Sequence, residues 1–208
     1  MPSGEVACRL SYTYPYEALT RMKYKYSVTE MSGHMDESVP LRTDVFDETE
    51  RKLSAAEKGT VTHKVMQYIP FDAEDIDGEI RCLVQKNILS EDEADAVNRT
   101  GIKAFLESGI GKRAASAERI WREQPFTMMT ELDGTEVMVQ GIIDCFFSEN
   151  GEAVIVDYKN ISVKSDEILT ERYIRQLDLY QQAVEESYGM KVKERYLYLL
   201  MEGRMLKL

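Results

Sequence analysis

Two aspartates and a lysine set the chemical question in this chain. Asp144 and Asp157 lie on either side of Asn150-Gly151, and Lys159 follows the second acid by two residues. Asn-Gly suits a two-residue type I′ turn, in which both central residues take positive φ. Glu149 then pairs with Glu152, and the residue numbers of every later pair add up to 301, which sets Asp144 opposite Asp157. Opposed residues have Cβ atoms about 4.5–5.5 Å apart, so two carboxylates placed this way repel and call for a cation. Carboxylate oxygens with few nitrogen ligands suit hard divalent ions, Mg2+ or Mn2+ above all. Such an ion beside a lysine fits phosphodiester hydrolysis: it binds a non-bridging oxygen, lowers the pKa of a bound water and stabilises the leaving oxygen. Lys159, held charged by its acidic neighbours, would stabilise charge on the phosphorane-like transition state.

The elements that must position these residues follow from the period-two alternation of a strand. One hairpin face carries Val139, Gly141, Ile143, Cys145, Phe147, Val154, Val156 and Tyr158, and reads as core. The other carries Ile142, Asp144, Phe146, Ile155, Asp157 and Lys159, apolar near the turn and charged toward the open end. A further strand is predicted from Ile120 to Leu132, with Pro125 marking an edge or bulge. Its Asp133-Gly134 turn gives pairs that add up to 267, so Glu123 falls opposite Asp144 and makes a row of three acids across three strands. Ser54-Ala-Ala-Glu57 is a capping box leading through Lys58-Gly59-Thr60 into a helix of two to three turns. There Val61, Val65 and Tyr68 share a stripe with His63 off it, and Gly59 suggests close backbone approach.

Around this centre the chain divides into three regions. Residues 1–31 are an N-terminal segment packing on or leading into the domain, with a short helix near 16–22. Residues 32–53 read as an acidic flexible connector and 54–208 as the main domain, with a helical insert at about 73–118. The insert holds a second capping box at Ser90–Glu93, punctuating Gly101 and Gly109, and a basic run with Lys112, Arg113 and Arg119 that reads as a solvated face or a phosphate contact. After a loop at Ser162–Ser165, a long helix is predicted from about Asp166 to Tyr188, ended by Gly189. Leu169, Tyr173, Leu177 and Val184 mark its buried side, and Arg172, Gln176 and Tyr180 a neighbouring stripe. A closing strand from Val192 to Leu200 completes a mixed α/β domain with helices against a central sheet.

D-x12-D-x-K is a loose pattern in isolation, but five motifs in order are specific. Gly59-Thr60-x-x-His63, Glu123-Gln-Pro-Phe126, Gly141-Ile-Ile-Asp144, Asp157-Tyr-Lys159 and Gln176-x-x-x-Tyr180 resemble the RecB-type nucleases of the PD-(D/E)XK superfamily over roughly residues 54–200. With Ser27-Val-Thr-Glu-Met31 ahead of them, the chain is similar to the C-terminal nuclease domain of AddA-type subunits of bacterial helicase–nucleases. The resemblance implies a restriction-endonuclease-like core with a central mixed sheet flanked by helices. It implies a Mg2+ site, open to Mn2+, held by His63, Asp144, Asp157 and the Tyr158 carbonyl. Lys159 becomes the catalytic lysine, Glu123 a supporting catalytic residue, and Gln176 and Tyr180 the residues that orient the site and contact DNA. The implied activity is exonucleolytic digestion of single DNA strands delivered by a helicase in double-strand break repair and recombination. The implied partners are DNA, the remainder of a helicase polypeptide and an AddB-type subunit. No four-cysteine motif for an iron–sulfur cluster and no Walker motif is present, so an ATPase would lie on other sequence. One departure stands out: the family continues Asp-Tyr-Lys-Thr-Asp, whereas Asn160-Ile161 follows Lys159 here, which bears on rate more than on reaction type.

Composition narrows the classes further. With 208 residues, 43% hydrophobic and 30% charged, the chain is a globular domain able to bury a core. Cys8, Cys82 and Cys145 are too few and too scattered for a disulfide framework or metal cluster, and no signal peptide or membrane span is read, which together suggest a cytoplasmic setting. His34 and His63 are the two histidines, which excludes a His-rich site. The abrupt Met1-Pro2-Ser3 opening reads as a piece of a larger protein. A net charge of −11 argues against broad electrostatic capture of nucleic acid. That charge and the missing acid at 161 motivate a second reading, a catalytically weak or inactive module that docks a partner subunit or recombinase. A third, that Lys159 merely neutralises two acids in a sheet, explains the hairpin but not the other motifs.

Overall fold

The computed structural model describes residues 23–33 and 53–208. The helix expected near 16–22 and nearly all of the connector lie outside them. Among the described residues are six strands and seven helices: β1 (Lys25–Ser27), α1 (Val28–Met31), α2 (Ala55–Tyr68), α3 (Ile76–Gln85), α4 (Glu91–Ala96), α5 (Arg99–Glu107), α6 (Gly109–Ala115), β2 (Arg119–Leu132), β3 (Thr135–Glu149), β4 (Glu152–Lys159), α7 (Asp166–Tyr188), β5 (Val192–Leu199) and β6 (Arg204–Lys207). The strands form one mixed sheet in the order β1-β3-β4-β5-β6, with β2 along the other edge of β3. Two strands therefore share one edge of β3: β1 runs parallel to it at 138–140, and β4 antiparallel to it at 145–149. Between these pairings residues 141–143 have a strand partner only in β2, and Asp144 has none in any of the three ladders.

Local chemistry sets many of the boundaries. Ser54 and Ser90 each close a reciprocal capping box with the glutamate three residues on, which satisfies two otherwise orphaned amide donors at the start of α2 and α4. Asn150 and Gly151 both take positive φ, as do Asp133 and Gly134, and the ladders run in the registers those turns dictate. Gly189 ends α7 in the left-handed conformation, with φ of 64°.

The sheet is covered on both faces. Helices α2, α3, α5 and α6 pack through Val65, Met66, Ile80, Ile102, Phe105 and Ile110 on Cys145, Phe147, Val154, Val156, Tyr158 and Tyr198. On the opposite face α1 and α7 pack through Val28, Leu177, Tyr180 and Val184 on Val139, Ile143, Phe146 and Ile155. At about 1.5–3 kcal/mol for each large apolar side chain fully removed from water, these two layers are the main cohesive force of the fold.

Several expectations need correction. The single core face predicted for the hairpin is divided: Val139 and Ile143 pack under α7, whereas Cys145 and Phe147 pack under the insert. Alternation breaks between Ile143 and Cys145, beside Glu123, whose φ of +46° kinks β2 and interrupts the ladder between Arg122–Cys145 and Gln124–Ile143. Helix α2 begins directly at its capping box, so Gly59 lies inside it, and a Cβ there would meet nothing within 4 Å. Tyr68 is exposed; the buried stripe is Val61, Thr62, Val65 and Met66. Gly101 is no break but an internal residue of α5, where a Cβ would lie 2.2 Å from the Leu200 carbonyl oxygen. After the closing strand the chain turns back as β6, which pairs antiparallel with β5. Arg113 of the basic run faces inward to Glu149 at 2.9 Å and to Glu194.

Candidate active site

The gap in the β3 edge is where the charged residues gather. The kink at Glu123 and the end of the β3–β4 ladder leave the Glu123 and Asp144 side chains beside His63, carried by α2 from the insert side. His63 Nδ1 stands 3.6 Å from Glu123 Oε1 and 3.5 Å from Asp144 Oδ1. One ligand atom from each of the three falls within 4.8 Å of the others, close enough to hold a metal ion. The other Asp144 oxygen, Oδ2, accepts a 2.8 Å hydrogen bond from the Tyr158 backbone N–H, so the strand bearing the second acid fixes the first.

Asp157 has no solvent exposure. Its Oδ1 accepts from Gln176 Nε2 at 3.2 Å, and its Oδ2 lies 2.9 Å from Lys159 Nζ. That second oxygen is buried, and the Lys159 ammonium is the cation that balances it. Gln176 Nε2 also donates to Tyr180 Oη at 2.7 Å, and the Tyr180 ring meets Phe126 edge-on at 5.9 Å, which ties this part of α7 to β2. The Lys159 ammonium rests 5.0 Å from the centre of the Tyr173 ring.

Charge and burial compete across this cluster. Burial alone would lower the His63 pKa, but the Asp144 carboxylate overrides it and pushes it up to about 10. Burial opposes ionisation of Asp144, yet imidazolium His63 holds its pKa below the ordinary value. Asp157 goes the other way: burial raises it, Lys159 pulls it down, and the Asp144 charge adds to the rise. Burial disfavours the Lys159 ammonium, but Asp157 and Asp144 more than compensate and hold it protonated. Without a cation the centre thus borrows protons, which a divalent ion would displace.

Each residue singled out from the sequence lies in or beside this cluster, although the grouping differs from the expectation. The donor atoms that cluster most tightly are those of His63, Glu123 and Asp144. Asp157 lies on the Lys159–Gln176 side. Tyr158 contributes its amide to Asp144, while its ring is buried edge-on against Phe105 at 5.1 Å. Asn160, at the departure from the family pattern, accepts from Asn98 Nδ2 at 3.1 Å, and that amide also reaches the Leu200 carbonyl at 3.3 Å. Ile161 packs with Leu169, Leu197 and Leu199. Two contacts were missed in the sequence. Arg122 caps the end of α2, signalled by a charged residue opposite Cys145 on an apolar face. Asn98 caps α5, signalled by Asn98-x-x-Gly101.

Known proteins are similar to this chain along nearly all of its length. The chain is 36% identical over 232 residues to the A-type subunit of the ATP-dependent helicase/nuclease of Thermoanaerobacter sp. (strain X514), a match that covers 98% of the chain and 19% of that protein. The proteins of the same name from Acetivibrio thermocellus and Clostridium acetobutylicum are 34% and 35% identical, over 97% and 98% of the chain and 18% and 19% of their own lengths. The chain thus spans about a fifth of the relatives it matches. The profile that describes the PD-(D/E)XK nuclease superfamily aligns with residues 16–207, and the chain belongs to that superfamily.

Proposed function

We propose that this chain is a Mg2+-dependent deoxyribonuclease domain, with Mn2+ able to substitute, which hydrolyses phosphodiester bonds in single DNA strands supplied by an associated helicase. The observation that carries this reading is the convergence of His63, Glu123 and Asp144 within ligand distance of one another, with Asp157 and Lys159 on the next strand. One imidazole nitrogen and the carboxylate oxygens of Glu123, Asp144 and Asp157 form a donor set that suits a hard divalent ion. In this reading His63, Asp144, Asp157 and the Tyr158 carbonyl hold the ion, and Glu123 supports them. The bound cation supplies Lewis acidity toward a non-bridging phosphate oxygen.

The remaining roles fall to side chains of the chain itself. Lys159, kept as an ammonium by Asp157 and Asp144, stabilises negative charge as it builds on the phosphate. Gln176 keeps Asp157 in orientation through Oδ1, Lys159 pairs with Oδ2, and Tyr180 braces Gln176. Tyr180 is buried in the core, so contact with the incoming strand, expected of both residues, falls to the partly exposed Gln176. The name that the relatives carry, an ATP-dependent helicase/nuclease, supports nuclease action coupled to a helicase. In this reading the domain is an exonuclease on DNA in break repair and recombination, in the cytoplasm. Its partners are the remainder of a helicase polypeptide and an AddB-type subunit. Among the described residues no helix is long and apolar enough to cross a membrane.

The test is digestion of linear single-stranded DNA by the purified chain with Mg2+ or Mn2+, compared with Asp157→Ala, alongside calorimetric titration of Mn2+ into the parent and Asp144→Ala. Saturable binding lost in Asp144→Ala and digestion lost in Asp157→Ala support the reading. Equal digestion by Asp157→Ala refutes this site, and a chain that neither binds Mn2+ nor cuts refutes the nuclease reading and favours the docking one.

A further inference from the structure

Arg122 lies one residue before Glu123, on the side of β2 that faces the insert, yet none of its contacts is to an acid. Its Nη1 donates to the Ile69 carbonyl at 2.5 Å and to the Gln67 carbonyl at 3.3 Å, and its guanidinium lies 3.9 Å from the centre of the buried Phe71 ring. Among the described residues no carboxylate forms an ion pair with it. Burial, the larger effect, lowers its pKa, while the Asp72 charge favours its ionised form without pairing with it. What it meets instead is the C-terminal end of α2, where the last carbonyls lack helical partners and carry the negative end of the helix dipole.

We propose that Arg122 is a positioning residue that sets the rotation and height of α2, and so places His63 against Glu123 and Asp144. His63 lies one helical turn before Gln67, and Glu123 is the residue next to Arg122. A single side chain therefore ties together the two elements that supply the imidazole and a carboxylate. The apolar contacts of α2, through Val61, Val65 and Met66, are non-directional and tolerate small slides. Hydrogen bonds to two named carbonyls do not. Ligand groups must be held within about 0.5 Å of their productive geometry, so a helix free to slide would spoil the donor set without unfolding the domain. The planar, stacked fork of arginine suits this task in a way that the flexible point charge of lysine does not.

This inference rests on the reading of His63, Glu123 and Asp144 as a cation centre. The experiment is Mn2+ titration by calorimetry, with the bound-Mn2+ electron paramagnetic resonance spectrum as a second readout, on the 208-residue chain and its Arg122→Met, Arg122→Lys and Arg113→Met variants. Folding is checked by circular dichroism. Arg122→Met is expected to weaken Mn2+ binding about 10–100-fold and broaden the spectrum, Arg122→Lys to recover part of the loss, and Arg113→Met to bind like the parent. If Arg122→Met fails to fold, Arg122→Lys decides: a loss of about threefold or more supports the assignment, and parental affinity overturns it. A folded Arg122→Met chain with parental affinity and spectrum overturns this assignment and leaves the cation centre standing. A parent that takes up no Mn2+ overturns both.

Discussion

Near its turn the β3–β4 hairpin pairs residue for residue, from Glu149–Glu152 to Cys145–Val156, with Phe146, Phe147, Val154 and Ile155 completely buried. One step farther out the ladder stops, β2 kinks at Glu123, and buried acids replace buried apolar groups. The same two strands thus hold a region built for cohesion and a region of buried charge that His63 and Lys159 must balance. The contrast shows how a rigid scaffold carries a strained centre: cost concentrated at one point is borne by close packing a few residues away.

If that division is real, substitutions at the two ends should fail in opposite ways. The largest effect is expected from Asp144→Ala at the open end. DNA digestion should fall by at least about 10²–10³-fold while the chain stays folded, measured as initial rates alongside circular dichroism. Phe147→Ala at the turn end should do the reverse, with about 3–5 kcal/mol lost in urea unfolding and little change in rate per folded molecule. Comparable loss of activity in folded Phe147→Ala protein would break the comparison. Gln176→Leu, which removes the bond to Asp157, should weaken Mn2+ binding about 10–100-fold by titration.

The smallest effect sharpens the electrostatic side. His63 stands at about 10 in the folded protein against an ordinary 6.5, so its protonation stabilises the metal-free chain fully below about pH 6.5, and that stability is lost as pH rises through about 10. Thermal unfolding in EDTA should therefore occur at lower temperature as pH increases across this window, and His63→Gln should flatten that slope. A parental slope in His63→Gln would place the titrating group elsewhere.

Much of the scaffold was legible because it rests on local chemistry. Asn150-Gly151 and Asp133-Gly134 demand positive φ and so set both registers, and Ser54, Ser90 and Gly189 mark helix ends through atoms within a few residues of themselves. Those registers also led from two turns to Asp144, Asp157 and Glu123. What escaped has its cause far along the chain. Glutamate has no preference for φ of +46°, so nothing local at Glu123 announces the kink, and without it the swap of core faces after Ile143 is invisible. Tyr68 continues the apolar spacing of α2, but its helix ends beyond the layer that would cover it. Arg122 reads as one more charge until Gln67, Ile69 and Phe71 are brought to it.

The shared edge of β3 has a kinetic consequence. Tyr24 accepts a hydrogen bond from the Met138 amide, and Lys25 pairs with Met138, across more than a hundred intervening residues. Closing so long a loop costs entropy before any contact repays it, so this pairing should form late in folding. A ribosome-bound chain would hold the insert and its helices before Asp144 and Gln176 have been made, so His63 waits for its acidic partners until the later strands and α7 have emerged.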